Sequence, residues 1–140
     1  MSPFLELFDL IGELSRRRYQ VGERTFATLG LNHTEARLLA LLHKNGGDSP
    51  QDALTANLSI DRTNAGRALQ RLQQEGYILR TKDSADKRAN LVQLTEKGQE
   101  TVHAIGKLRK QLVQTFFGSL TEAEAETAIA LLRKSLEPQV

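Results

Sequence analysis

The spacing of apolar residues changes once along this chain, from a helical period to a strand period and back. Up to Gly76 most apolar residues recur every three or four positions, as they do on one face of a helix. Two short segments follow, 77–81 and 90–94, in which the period is two and a polar turn lies between them. The helical period returns after Thr95. The chain is therefore expected to be mainly α-helical with one small β-hairpin.

Polar residues mark where the helices begin. Asn32 and Glu35 have the three-residue spacing of a capping box, in which each side chain accepts a backbone N–H of the other residue. Thr121 and Glu124 repeat that spacing near the end of the chain. Thr95 is placed to cap a long helix directly after the hairpin. These signals predict three of the helix starts.

A short helix is expected in the middle of the chain. Ser49 can cap it, because Pro50 would then occupy the first turn and Asp52 would close a capping box. The helix should stop near Ser59, and Asp61 can cap the next one. Two helices joined by so short a link suggest a helix-turn-helix unit.

The complete order of elements predicts one winged helix-turn-helix domain of 140 residues. A long helix over 4–29 comes first, and a helix, a short helix and a further helix follow. The hairpin lies directly behind them and would form the wing. Two more helices complete a fold of six helices and a β-hairpin.

The helix expected over 61–75 has a polar outer face. If Ala65, Leu69 and Leu72 face the core, the opposite side carries guanidinium and amide groups that match base edges in the major groove of DNA. Gly66 has no side chain to keep the helix backbone away from DNA. On composition alone, an ordinary solvated face is the alternative. The candidate DNA contacts are Arg62, Thr63, Asn64, Gly66, Arg67, Gln70 and Arg71.

Positive charge is concentrated in the same region. Residues 61–90 contain seven Lys and Arg against four acidic residues, a local net charge of +3, although the whole chain carries only +2. Lys87 and Arg88 follow the turn of the hairpin, where Arg88 could enter a narrow minor groove and Asp86 could orient its guanidinium. Taken alone, such a tip is also typical of a soluble loop.

Several classes of function lack support in the sequence. The chain has no cysteine, which excludes disulfides, cysteine nucleophiles and thiolate zinc sites. No glycine-rich phosphate loop or metal motif is present, so we expect no catalytic residue, no metal and no cofactor. No apolar run has the roughly 18 residues of a membrane span, and the early acidic residues do not fit a signal peptide. We therefore expect a cytoplasmic protein that is not an enzyme and has no membrane partner.

Residues 58–98 resemble the MarR family of transcriptional regulators. The segment from Asp83 to Gly98 is similar to the wing of that family, with an Asp-x-Arg tip, an apolar strand and a Leu-Thr-x-x-Gly motif. The segment 58–80 is similar to the family's recognition helix and its entry into the wing. Gly66 stands where the family pattern has a hydroxyl residue, which leaves the details of operator recognition open.

The resemblance implies a sequence-specific regulator of transcription, with repression expected, that binds double-stranded DNA at a pseudo-palindromic operator. Residues 1–31 and 95–140 would interlock in a homodimer, and residues 32–94 would form the DNA-binding lobe. Thr63, Asn64 and Arg67 would contact bases. The apolar stripes at both chain ends independently favour a two-fold contact. The alternative is a winged-helix adaptor that binds protein and not DNA.

The resemblance also implies release from DNA by a small aromatic or anionic ligand, bound between the dimerisation helices and the lobe. The candidate ligand contacts are Arg16, Arg17, His33 and Arg37. The basic run at 16–18 has two other interpretations, a solvated face or a contact with DNA phosphates.

Overall fold

The computed structural model describes residues 2–56, 58, 62–82, 85 and 89–138. Within these residues the chain forms six α-helices and three β-strands, which confirms a mainly helical winged helix-turn-helix fold. In chain order they are α1 (Pro3–Phe26), α2 (His33–Lys44), β1 (Asp48–Pro50), α3 (Gln51–Ala56), α4 (Arg62–Gln74), β2 (Ile78–Lys82), β3 (Asn90–Leu94), α5 (Glu96–Phe116) and α6 (Glu122–Ser135). A 3-10 turn over Ala27–Leu29 follows α1.

Two of the three predicted capping boxes are confirmed, those that begin α2 and α6. Asn32 Oδ1 accepts the Glu35 N–H at 2.7 Å, and Glu35 Oε1 accepts the Asn32 N–H at 2.8 Å. At α6 the hydroxyl of Thr121 accepts the Glu124 N–H at 3.1 Å, while the Glu124 carboxylate accepts the Thr121 N–H at 2.9 Å. Thr95 caps α5 with a bond of 3.1 Å. These local signals satisfy backbone donors that would otherwise lack a partner at the helix starts.

The prediction that Ser49 caps a helix is wrong. Ser49 lies in β1, pairs with Val92 of β3 and is buried, and its hydroxyl donates to the carbonyl of Pro50 at 3.1 Å. Helix α3 begins only at Gln51. The sheet order is β1-β3-β2, so β1 is an edge strand, where a proline is tolerated. Pairing with β3 outweighs the local helix signal. Ser59 and Asp61, the other predicted boundaries, lie outside the described residues.

The core of the lobe lies where α2, α4 and the sheet meet. Leu38, Leu39 and Leu42 of α2 are fully buried, as are Leu69 and Leu72 of α4. Burial of each such side chain contributes about 2 kcal/mol. These leucines belong to one buried cluster, which holds α4 against α2. The inward face predicted for this helix is thereby confirmed.

The two ends of the chain leave apolar surface exposed. In α6 Ala125 alone is partly buried, and the other residues of that helix are exposed. Large apolar side chains are also exposed along α1 and after α5; examples from the three regions are Phe4, Phe8, Phe117, Leu120, Ile129 and Leu132. Among the helices described, none is long and apolar enough to cross a membrane.

Candidate nucleic-acid interface

Helix α4 presents its polar face to solvent. Between Arg62 and Gln74 this helix contains no acidic residue. Its inner side is held in the core by Ala65, Leu69 and Leu72. On the outer side Gly66 is half-buried, and a Cβ added there would meet nothing within 4 Å. The exposed side chains of the outer face are Thr63, Asn64, Arg67, Gln70 and Gln74. Arg62 is part of α4, but its side chain lies outside the description.

The guanidinium of Arg71 is bonded within the protein, to α2 and to the turn after α1. Nη1 donates to Glu35 Oε1 at 2.6 Å, and Nη2 donates to the carbonyl of Gly30 at 2.8 Å. The hydrogen bond and charge of Glu35 raise the pKa of Arg71 above its already high ordinary value. This side chain therefore links α4 to the junction between α1 and α2. Its predicted DNA contact remains a prediction.

Two further contacts connect α4 to the wing and to α5. Arg80 of β2 donates from Nε to Gln73 Oε1 at 2.7 Å. The hydroxyl of Thr95 donates to the carbonyl of Gly76 at 2.6 Å, just after α4 ends. The wing is thus fixed to the end of α4 by polar contacts as well as by the chain itself.

The pairing of β2 with β3 defines the described part of the wing. Strands β2 and β3 pair from Ile78 and Leu94 to a last pair of Lys82 and Asn90. The predicted contacts Asp86, Lys87 and Arg88 all lie outside the described residues.

A cavity of about 990 Å³ lies where α1, α2 and α5 meet. Of the four predicted ligand contacts, His33 and Arg37 line it. Arg16 and Arg17 do not line it, and the guanidinium of Arg17 instead lies 5.5 Å from the ring centre of Phe116. Arg18, which the sequence analysis did not select, contributes to the lining in their place. A helix places every third or fourth residue on one side, so only part of a basic run can face one cavity.

Positive charge dominates this cavity. Burial lowers the pKa of His33 to about 4, and the charges of Arg37 and Arg18 act in the same direction. Burial and the neighbouring Arg18 also lower the pKa of Arg37. An anion bound here would face two guanidinium groups that otherwise repel each other. The cavity is thus suited to a negatively charged ligand.

The sequence does not indicate the ion pair between Arg71 and Glu35. Its patterns mark Glu35 only as a capping residue and Arg71 only as a candidate DNA contact. They are 36 positions apart, so no local spacing signals the pair. The one available signal was the position of Arg71 on α4, between exposed Gln70 and buried Leu72, which places it at the edge of the outer face.

Comparison with known proteins places this geometry in a family. The family model described as "MarR family" matches residues 31–89. The uncharacterised HTH-type transcriptional regulator YybA of Bacillus subtilis is 28% identical, with 91% of this chain and 86% of that protein aligned. The transcriptional repressor MprA of Escherichia coli is 30% identical over 76% of this chain and 61% of its own length. A mutant MarR from E. coli, crystallised with operator DNA, superposes with a TM-score of 0.83 at 25% identity, covering 99% of this chain and 100% of that one.

Proposed function

The chain belongs to the MarR family, and from this premise we propose that it is a sequence-specific double-stranded DNA-binding regulator of transcription. The observation that carries the proposal is the exposed face of α4, where Arg67, Asn64 and Gln70 stand on a helix without acidic residues. A guanidinium can form two hydrogen bonds with the edge of a guanine, and a side-chain amide can form two with the edge of an adenine. Such bidentate contacts discriminate between bases.

The regulator is proposed to act as a homodimer. Helix α6 and much of α1 expose apolar side chains, and a two-fold copy of the chain could cover them. Residues 1–31 and 95–140 would supply this contact, and residues 32–94 would be the DNA-binding lobe. Two such lobes read two half-sites, so the operator should be an inverted repeat with half-site centres about 10–10.5 bp apart.

The wing is proposed to add a minor-groove contact. Asp86, Lys87 and Arg88 belong to the segment that joins β2 to β3, beyond the last paired residues. An arginine is attracted to a narrow minor groove because the negative potential is strongest there. In this proposal Asp86 orients the guanidinium of Arg88, and Lys87 supports binding through phosphate contacts.

A small anionic or aromatic ligand is proposed to weaken DNA binding from the cavity between α1, α2 and α5. Arg18, Arg37 and His33 supply the positive and polar lining. Because the cavity lies between helices of the dimerisation region and α2 of the lobe, a ligand there can change their relative position. Repression relieved by ligand is the proposed mode of action. YybA and MprA are named as regulators of transcription, and we propose that this chain likewise has no enzymatic activity and works in the cytoplasm.

Selection of bound duplexes from a random pool tests the proposed function. The full chain should enrich one inverted repeat, and the enriched sequences should be competed by one another but not by unrelated duplexes. A pool that remains unenriched after several rounds at physiological salt would rule out sequence-specific binding.

A further inference from the structure

We propose that Arg71 and Glu35 are positioning residues that set the half-site spacing which the dimer accepts. In this inference, which rests on the proposed function, the ion pair holds α4 at a fixed place relative to the end of α1. Neither residue needs to touch a base to perform this role.

The contacts of Arg71 are the first observation that supports this inference. One guanidinium reaches two acceptors, Glu35 Oε1 at 2.6 Å and the carbonyl of Gly30 at 2.8 Å. Gly30 has a φ of +73° and ends the 3-10 turn that follows α1. The arginine therefore connects α4 directly to the end of α1. A planar fork of donors can hold two acceptors in fixed directions, whereas a lysine ammonium is a single point of charge.

The burial of Glu35 is the second observation that supports this inference. This side chain is 1% exposed, and its Oε1 accepts both the Arg71 guanidinium and the Asn32 N–H. Its Oε2 is buried without a hydrogen-bond partner among the described residues. A buried carboxylate is costly unless a cation faces it, so the preferred position of Arg71 is against Glu35. This preference favours an internal contact of Arg71 over a contact with DNA phosphate. The bonds from Arg71 to Glu35 and Gly30 are called the brace below.

The brace lies next to the base-reading residues. A pocket of about 290 Å³ is lined by Glu35, Arg71, Asn64 and Arg67, together with residues of α1 and α2. Arg67 is one helical turn before Arg71 on α4. A shift of α4 at the brace would therefore move the side chains that are proposed to read bases.

Half-site spacing is the property that such a shift would change. In the proposed dimer each α1 belongs to the dimerisation region, so the separation of the two α4 helices depends on how firmly each one is held to its own α1. One inserted base pair moves a half-site by about 3.4 Å along the duplex and rotates it by about 34°. A rigid pair of helices rejects this change, whereas a loosely held pair can follow it.

The experiment measures the affinity of the full chain and its variants for the selected duplex and for duplexes with one base pair added or removed between the half-sites. Arg71→Lys and Glu35→Gln are the test variants, because the first keeps the charge and the second keeps an acceptor for the capping box. Each should bind the selected duplex about 10-fold to 100-fold more weakly. Each should also discriminate less between spacings than the wild type does.

The matched control is Arg67→Lys, the same substitution one turn away. It should change the preferred base while leaving the preference for spacing as it is in the wild type. The double variant, Arg71→Lys with Glu35→Gln, should bind DNA no more weakly than the weaker-binding of the two single variants. Both substitutions disrupt the same ion pair, so their effects should not add. If Arg71→Lys alone fails to fold, the double variant replaces it in the experiment. Glu35→Gln removes the buried carboxylate charge that Arg71→Lys would leave without its partner.

Other results would overturn the inference. If Arg71 contacts a phosphate, Glu35→Gln should bind DNA as tightly as the wild type or more tightly. The variant Arg71→Gln should then show a slope of log affinity against log salt that is smaller by about 0.9. Unchanged spacing discrimination in both test variants would also contradict a positioning role. These results are distinct from failure of the proposed function, in which the wild type itself selects no operator and the inference falls with it.

Discussion

Gly22 of α1 packs so closely against His33 of α2 that a Cβ on Gly22 would overlap Nδ1 of the imidazole ring. The ring cannot move away easily, because it contacts Tyr19 edge-on at 5.5 Å and lies against Phe26 at 6.4 Å between ring centres. The backbone N–H of His33 also donates to Glu23 Oε1 at 2.8 Å. The glycine thus allows the close approach of α1 and α2 beside the cationic cavity.

Gly22→Ala should lower the free energy of unfolding by about 1–3 kcal/mol, because the new methyl group requires space that the imidazole occupies. Gly66→Ala is the matched control, since a Cβ there meets nothing within 4 Å. It should stabilise α4 by up to about 1 kcal/mol, the difference in helix propensity. Urea unfolding at equal protein concentrations measures both values. A Gly22→Ala protein as stable as the wild type would contradict the close contact.

His33 should make the protein sensitive to mild acid. Its pKa in the folded state is about 4, lowered by burial and by Arg37 and Arg18. In the unfolded chain the imidazole has its ordinary pKa near 6.5, so below that pH the unfolded state binds a proton that the folded state does not. Above about pH 6.5 His33 therefore does not reduce the free energy of unfolding. As the pH drops toward 4, the free energy of unfolding falls on account of His33 by at most about 3 kcal/mol.

Urea unfolding of the wild type and of His33→Gln, at about pH 7.5 and about pH 4.5, isolates this contribution. The wild type should lose more stability between the two pH values than the variant does, since the carboxylates titrate in both proteins. Equal losses would show that the imidazole is not protected from protonation in the folded state.

Most of the fold could be predicted because its signals are local. The capping box of Asn32 and Glu35 and the change of period at the hairpin depend on residues within a few positions of one another. Strand β1 could not be predicted in this way. Ser49 and Pro50 have the local pattern of a helix start, and only pairing with Val92, more than 40 residues later, makes them a strand.

In the candidate site, too, local features could be predicted from the sequence and long-range contacts could not. The outer face of α4 follows from helical geometry, and the exposure of Arg67 agrees with it. The internal contacts of Arg71 could not be foreseen, because Glu35 and Gly30 approach it only after α2 and α4 have packed. Arg37 lines the cavity as expected, and its contact with a ligand stays a prediction. Arg18 could not be foreseen, since sequence does not show which side of α1 faces α5.

Arg67→Ala should reduce affinity for the selected operator by about 1–3 kcal/mol and relax the preference at one symmetric pair of positions, as expected for a bidentate contact with guanine. Binding to each single-base variant of the operator measures both effects. Uniform weakening across all base variants would indicate that Arg67 contacts phosphate and carries no sequence preference.

The wing can be tested with Asp86 and Arg88. Arg88→Ala should weaken binding most on operators with A·T-rich flanks, because a narrow minor groove attracts the guanidinium most strongly. Asp86→Ala removes a negative charge near DNA, yet we expect weaker binding because Arg88 is then no longer oriented. A double-mutant cycle on one operator measures the coupling. Additive effects, or tighter binding by Asp86→Ala, would remove the wing from the mechanism.

The central claim is that two copies of this chain read an inverted repeat in duplex DNA. Fluorescence anisotropy with the selected duplex, and with the same duplex carrying one scrambled half-site, tests it most directly when combined with the mass of the complex. We expect two chains per duplex, and the affinity should fall as salt rises by about 0.9 in log–log slope for each phosphate neutralised. The scrambled half-site should lower the affinity at least about 10-fold, within the usual margin between specific and non-specific sites. Equal affinity for the two duplexes at physiological salt, or a complex with a single chain, would contradict the account.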